Sequence, residues 1–218
     1  MTICDQDYSA DIIERRWLSK KTFEIILNRP ASFTFKPGQR ISLKFKKMER
    51  DYSLASSPDE SHLKLCIRHV KKGVLSQALG DTQIGTRISF AGPHGYFTYK
   101  DPQRPTVFIA TGTGIAPFRS MVRSGTSPDF LLHGVETSED LYYSEEFQSV
   151  AESYIPCLSQ SKNSQTYFEG RVTDYLQMHL PPENYDFYLC GRLEMIRDAT
   201  LLVDELFEGS NIYTETFY

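Results

Sequence analysis

The chain has 218 residues, 40% hydrophobic and 24% charged, with a formal net charge of −4. That length holds one large domain or two of about 100 residues, and two fit better. The acidic balance and the lack of a basic run give no electrostatic reason to bind nucleic acid, and no apolar run reaches the roughly 18 residues of a membrane span.

At the start, Met1 to Ala10 carries Asp5 and Asp7 and lacks the basic flank and apolar stretch of a secretory signal, so a cytoplasmic location is expected. From Trp17 to Phe97 apolar residues alternate, as in Phe23, Ile25, Leu27, then Ile41, Leu43, Phe45, then Leu63, Leu65, Ile67. A period of two predicts half-buried strands. Turn signals at Pro37-Gly38, Ser57-Pro58-Asp59 and Gly92-Pro93-His94-Gly95 punctuate them as in a small antiparallel barrel. After Asp101 to Pro105 the rhythm changes. Continuous apolar strands at 107–110, 130–132 and 187–190 are separated by helix-like segments, which predicts a doubly wound parallel sheet. A last helix from about Glu194 to Phe207 would put Ile196, Leu201, Leu202 and Leu206 near one face and stop at Gly209.

In the first half, Arg50-Asp51-Tyr52-Ser53 sets a cation, an aromatic ring and a hydroxyl within four residues at strand spacing. A flavin needs those three groups: a cation for its phosphate, a flat ring against the isoalloxazine and a hydroxyl near N5. Alone, the segment fits an ordinary polar strand as well. Gly73-Val74-Leu75-Ser76 opens a helix whose free N–H groups and Ser76 hydroxyl could hold a pyrophosphate or serve only as a helix cap.

In the second half, Ile109-Ala110-Thr111-Gly112-Thr113-Gly114-Ile115-Ala116-Pro117 runs from a strand through two glycines into a helix with proline in its first turn. Such a loop lets a dinucleotide approach the backbone and aims a helix N-terminus at its phosphates. It lacks the Gly-Lys-Ser/Thr of nucleotide triphosphatases and the third glycine of the usual dinucleotide fingerprint, so in isolation a structural turn remains open. The cysteines at 4, 66, 157 and 190 lack the close spacing of a metal or iron–sulfur motif and are expected to be reduced thiols, with no metal site. His62, His69, His94, His133 and His179 have no metal spacing and are expected to be structural, and Asp51 reads as a solvated strand residue.

The Arg-x-Tyr-Ser segment, the Gly73–Ser76 helix start and Gly92-Pro93-His94-Gly95-Tyr96-Phe97 resemble the FAD-binding domain of the ferredoxin–NADP reductase family. The glycine loop, His133-Gly134-Val135, 141–147, Gly170-Arg171-Val172-Thr173 and Tyr188-Leu189-Cys190-Gly191 resemble its pyridine-nucleotide domain, so the resemblance covers nearly the whole chain. It implies a six-stranded antiparallel FAD-binding β-barrel over 1–101 and a doubly wound NAD(P)-binding α/β domain over 102–218. By resemblance Arg50 and Ser76 bind FAD phosphate, Tyr52 packs on the flavin, Ser53 sits near N5, and Gly73, Val74 and Leu75 line the pyrophosphate. Thr111, Gly112, Thr113, Gly114 and Pro117 would hold NAD(P)H. Cys190, beside Gly191, would place the nicotinamide, with a buried structural cysteine as the alternative. In the segment 212–218, expected to be docked, Phe217 or Tyr218 would cover the flavin and Glu215 would support proton movement.

Selecting NADPH needs cations around the 2′-phosphate, whereas the relevant strand ends carry Glu136 and Gln160. A carboxylate at 136 favours NADH, although Arg171 and Lys162 stand close in sequence as compensating charges. The implied reaction moves hydride from NAD(P)H to flavin and passes single electrons to a separate ferredoxin, flavodoxin or oxygenase component, with Ser53, Cys190 and Glu215 around the reacting atoms. The rivals are a reductase that uses flavin as a dissociable substrate and a non-catalytic flavin- or nucleotide-binding subunit. Oligomeric state is not legible.

Overall fold

A computed structural model describes residues 7–45, 47–100, 104–161 and 164–217. Cys4, Lys162 and Tyr218 lie outside the described residues. Contacts divide the chain into two compact units. One runs to Tyr99 and includes Ala116–Ser124; the other holds Lys100–Ile115 and the described residues from Gly125 on.

The first unit is a six-stranded sheet of β1 (Asp7–Ser19), β2 (Thr22–Asn28), β3 (Arg40–Phe45), β4 (Met48–Ser53), β5 (His62–Arg68) and β6 (Arg87–His94), with α1 (Val74–Asp81) between the last two strands. The order β4-β3-β6-β1-β2-β5 is antiparallel throughout. The chain just beyond β4 returns to β5 through a Leu54–Leu65 bridge and an Ala55 N–H to Lys64 carbonyl bond of 2.8 Å, which joins the two outer strands into a barrel. The alternating residues Phe23, Ile25, Leu27, Ile41, Leu43, Leu63, Leu65 and Ile67 all fill its core.

Two local expectations change. The first strand starts ten residues before Trp17, with Ala10 and Ile12 inside and Trp17 half exposed, because polar neighbours hide this weak alternation. Gly92 and Pro93 form no turn. They lie within β6 where the β3–β6 register slips between Arg40 and Ser42, a bulge that tolerates a residue without an N–H. Asp51 is an exposed strand residue as expected, and it also accepts from Arg40 Nε at 2.9 Å and from the Ser42 hydroxyl.

Every residue of β2 from Thr22 to Leu27 is buried, which a half-exposed strand would not show. Glu24, on the face away from the core, meets Arg119 of α2 (Ala116–Arg123) at 4.0 Å, with both side chains about 5% exposed (6% and 4%). Arg119 Nη1 also donates to the Ala55 carbonyl at 2.9 Å, and the Ser120 hydroxyl donates to the Ser56 carbonyl at 2.6 Å. These bonds clamp the segment that follows Ser53.

The second unit is a parallel sheet of β7 (Thr106–Thr111), β8 (Phe130–Val135), β9 (Ser153–Leu158), β10 (Phe168–Glu169), β11 (Asp186–Arg192) and β12 (Asn211–Phe217) in the order β10-β9-β8-β7-β11-β12. The short α3 (Ser144–Gln148), α4 (Val172–His179) and α5 (Leu193–Leu206) connect them. Strand order reverses between β7 and β11, so the carboxyl ends of those two strands flank a topological switch point, where open α/β sheets bind ligands. Segment 211–217 docks as β12. Helix α5 faces the core with Met195, Ile196, Ala199 and Val203, whereas Leu201 and Leu206 are exposed at 62% and 38%. Counting apolar residues misplaced that face, because Ala199 and Val203 set the angle.

Replacing Arg119 by Leu should destabilise the protein by about 3 kcal/mol, since Glu24 would lose its buried guanidinium. Urea unfolding should show the Glu24→Leu/Arg119→Leu pair recovering much of that loss; a pair no more stable than the single variant would contradict the account.

Candidate functional site

Strand β4 carries the first group. Register pairs Tyr52 with Ile41 and Ser53 with Arg40, so the two side chains take opposite faces. Tyr52 packs partly against the barrel core, and burial pushes its phenol up to about 12 against the opposing effect of Arg50, so it stays neutral. Arg50 is exposed, with Nη1 on the Glu49 carbonyl at 2.8 Å. Ser53 is 3% exposed, and its buried hydroxyl has no hydrogen-bond partner among the described residues. A buried hydroxyl left unpaired costs about 1–3 kcal/mol, which a ligand atom would relieve.

The segment from Gly73 builds the start of α1. Gly73 is the extended N-cap residue and makes no side-chain cap, so it satisfies none of the first-turn amides itself. Val74 is exposed, while Leu75 and Ser76 are buried. The Ser76 hydroxyl accepts from the Val70 N–H at 3.2 Å and donates to the Gly73 carbonyl at 3.3 Å. A Cβ on Gly73 would lie 2.7 Å from that hydroxyl, so the loop itself already requires glycine there.

At the switch point of the second unit, Gly112–Ile115 forms one turn of 3-10 helix after β7. Gly112 has φ +53, and among the described residues the one atom within 4 Å on its Cβ side is the Tyr142 hydroxyl at 3.8 Å. That open backbone face is one a dinucleotide can approach. Gly114 is different: a Cβ there would collide with the Cys190 carbonyl and sit 2.8 Å from Gly191 Cα. Gly191, at φ +139, would place its Cβ against the Thr111 hydroxyl and 3.0 Å from the Thr111 nitrogen, and the Arg192 N–H donates to that hydroxyl at 3.0 Å. Thr113 is half-buried in the turn, and Pro117 is the second residue of α2.

Parallel pairing of β11 with β12 sets Cys190 beside Glu215, Gly191 beside Thr216 and Arg192 beside Phe217. Cys190 is fully buried; burial first, and the Glu215 carboxylate second, push its thiol well up, so it remains S–H. Glu215 and Phe217 are half-buried. The structure thus brings Thr111, Gly112, Gly114, Cys190, Gly191 and Glu215 together at one sheet end. Glu136 and Gln160 also meet, through a Gln160 N–H to Glu136 carbonyl bond of 2.9 Å. Arg171 opens α4 with its N–H on the Asp174 carboxylate at 2.7 Å. Among the described residues no group of three or more His, Cys, Asp or Glu could hold a metal ion.

One polar residue of this region carried no distinguishing signal in the sequence. His133 lies fully buried in β8, with Nε2 3.2 Å from the Gly112 carbonyl and Nδ1 3.3 Å from the Tyr154 hydroxyl, which is 3.2 Å from the Ser144 hydroxyl. Burial lowers His133 to about 4, against a small opposing effect of the Gly112 carbonyl. A histidine directly after the apolar run Phe130-Leu131-Leu132 does not by itself announce this network, because its partners are remote in the chain.

Comparison with known proteins places these features. Residues 10–99 match the oxidoreductase FAD-binding domain family and residues 108–200 the oxidoreductase NAD-binding domain family. Ferredoxin–NADP reductase B of Sorangium cellulosum is 32% identical over 195 residues, which cover 81% of this chain and 78% of that protein. The reductase component of propane 2-monooxygenase from Mycolicibacterium smegmatis is 32% identical over 196 residues, or 80% of this chain and 56% of that one. The crystal structure of an Amycolatopsis cytochrome P450 reductase superposes with a TM-score of 0.88 at 27% identity, covering 97% of this chain and 70% of that chain. The chain belongs to the ferredoxin–NADP reductase family of flavoprotein oxidoreductases. It spans 48% to 67% of the length of the oxygenase components it matches.

The depressed His133 value has a definite sign. The unfolded chain takes up this proton near pH 6.5 and the folded protein only near pH 4, so the neutral imidazole's contribution is intact above 6.5 and lost as pH falls through that window. The full effect is at most about 3 kcal/mol. Urea unfolding at pH 7.5 and 4.5 should show the wild type losing more stability on acidification than His133→Gln; equal losses would contradict the buried neutral ring.

Proposed function

We propose that the chain is an FAD-dependent NAD(P)H oxidoreductase, with an FAD-binding domain over 1–101 and an NAD(P)-binding domain over 102–218, that passes electrons to a separate redox protein. When bound, FAD supplies a hydride acceptor that can release its electrons one at a time. The observation that carries this reading is the buried Ser53 hydroxyl, without a hydrogen-bond partner among the described residues, on the strand that also presents Tyr52 and Arg50.

Each residue has a task that its surroundings support. Arg50, exposed and cationic, binds flavin phosphate together with the first-turn amides of Val74, Leu75 and Ser76. Tyr52 offers its neutral ring as a packing surface for the flavin. Ser53 provides a pre-placed hydroxyl at the flavin N5 edge. In the second domain, Gly112 with Thr111, Thr113, Gly114 and the following Pro117 forms the nucleotide-phosphate loop, and Gly191 holds the end of β11 close against it. Cys190, kept as a thiol, orients the nicotinamide without acting as a nucleophile. Glu215 holds a proton-accepting carboxylate beside it, and Phe217, with Tyr218 as the other candidate, covers the flavin.

The nucleotide is NADH. Glu136 sits where a 2′-phosphate would need a cation, and its carboxylate suits a free ribose hydroxyl. The acceptor is a ferredoxin, a flavodoxin or an oxygenase component, a reading supported by kinship with the reductase component of propane 2-monooxygenase. The protein acts in the cytoplasm, in keeping with Cys157 and Cys190, which are buried thiols outside any disulfide.

Ser53→Ala should keep FAD bound while slowing its reduction by NADH about tenfold to a hundredfold, measured by anaerobic stopped-flow. Arg50→Ala should lose FAD on gel filtration. Unchanged reduction in the first, or full flavin retention in the second, would defeat that role. For the nucleotide, Glu136→Arg should move the NADPH to NADH ratio of kcat/KM upward by at least about tenfold; an unmoved ratio would remove Glu136 from the site.

A further inference from the structure

The Gly112 carbonyl is held from behind by a chain of polar groups that the reading above does not use. A carbonyl oxygen only accepts, so the His133 Nε2 facing it at 3.2 Å carries the ring proton. In a neutral imidazole the other nitrogen then accepts, so the Tyr154 hydroxyl donates to Nδ1 across 3.3 Å. The Tyr154 oxygen in turn accepts from the Ser144 hydroxyl at 3.2 Å. The direction of the relay is fixed from one end to the other. Burial supports the same state: it keeps His133 uncharged and pushes the Tyr154 phenol up to about 12.

Three polar side chains placed against an apolar strand are costly unless each is satisfied. A leucine or phenylalanine at 133 would fill the same space without that cost, so packing alone does not account for histidine. The consequence lies in the peptide plane. In a trans peptide the C=O and the following N–H point in opposite directions, so anchoring the Gly112 carbonyl on His133 turns the Thr113 N–H away from the sheet interior. It also fixes the orientation of a glycine at φ +53 whose other face is open.

We propose that His133 is a positioning residue for the nucleotide: through Nε2–H it fixes the Gly112–Thr113 peptide so that the Thr113 amide faces the cofactor's phosphate, with Tyr154 and Ser144 setting the tautomer. This rests on the assignment of Gly112–Ile115 as the nucleotide loop. The effect falls on nucleotide affinity rather than on the chemical step, because His133 does not touch the reacting atoms.

The test uses the full, FAD-loaded chain with ferricyanide as acceptor and NADH and NADPH as donors. His133→Phe keeps the shape and removes both polar nitrogens; its KM for the preferred nucleotide should rise about tenfold, with kcat changed less than threefold and flavin content equal to wild type. His133→Gln, whose amide N–H reaches the carbonyl, should restore most of the affinity. Tyr154→Phe should fall between them. Should His133→Phe not fold, His133→Asn, too short for the carbonyl, takes its place with the same expected rise.

An unchanged KM in the variant that cannot reach the carbonyl overturns the inference while leaving the loop assignment intact. So does a rise of equal size in the glutamine variant, which would make the ring a space-filler. A wild type that oxidises neither nucleotide overturns the loop assignment and the inference together.

Discussion

The nucleotide half is organised by a backbone contact in which the turn after β7 lies directly on the end of β11. Gly114 has no room for a side chain because the Cys190 carbonyl occupies it, and Gly191 has none because Thr111 does. Without those two glycines the strands could pair, but their ends could not close on each other. The contact decides where Cys190 sits, and through the β11–β12 register it decides where Glu215 and Phe217 sit as well. Of Gly112, Gly114 and Gly191, Gly112 is the one whose Cβ side meets no described residue nearer than the Tyr142 hydroxyl, which is why the proposal gives it, and not the other two, the ligand-facing role.

The flavin half depends on a different device. Ser53 lies at the end of a strand whose continuation, 54–57, is tied down by a bridge to Leu65 and by hydrogen bonds from Arg119 and Ser120. A buried hydroxyl without a partner persists only where the surrounding structure over-determines its position. The buried Glu24–Arg119 pair contributes to that determination, although it lies outside any residue expected to touch a cofactor.

Much of this was legible in the sequence, and the exceptions share a cause. Phe23, Ile25 and Leu27 declare a strand because their period is visible locally, and the glycine loop declares itself because strand, turn and helix follow one another within ten residues. Asp7 to Ile12 hid a strand because only two of its residues are core. Gly92-Pro93 carried the composition of a turn, and only the register of the opposing strand makes it a bulge. His133 and Arg119 were illegible because their meaning depends on Gly112, Tyr154, Glu24 and Ala55, which the fold brings near and the sequence does not. Local pattern gives elements; the polar groups that support a site appear only when distant segments are placed together.

In the proposed reaction, hydride moves from a nicotinamide to a flavin held by Arg50, Tyr52 and Ser53. Anaerobic single-turnover mixing of the FAD-loaded protein with NADH, and with NADH deuterated at nicotinamide C4, tests it most directly. The oxidised-flavin absorbance should be lost in one fast phase that slows with the deuterated donor. Flavin that stays oxidised with both NADH and NADPH would contradict it.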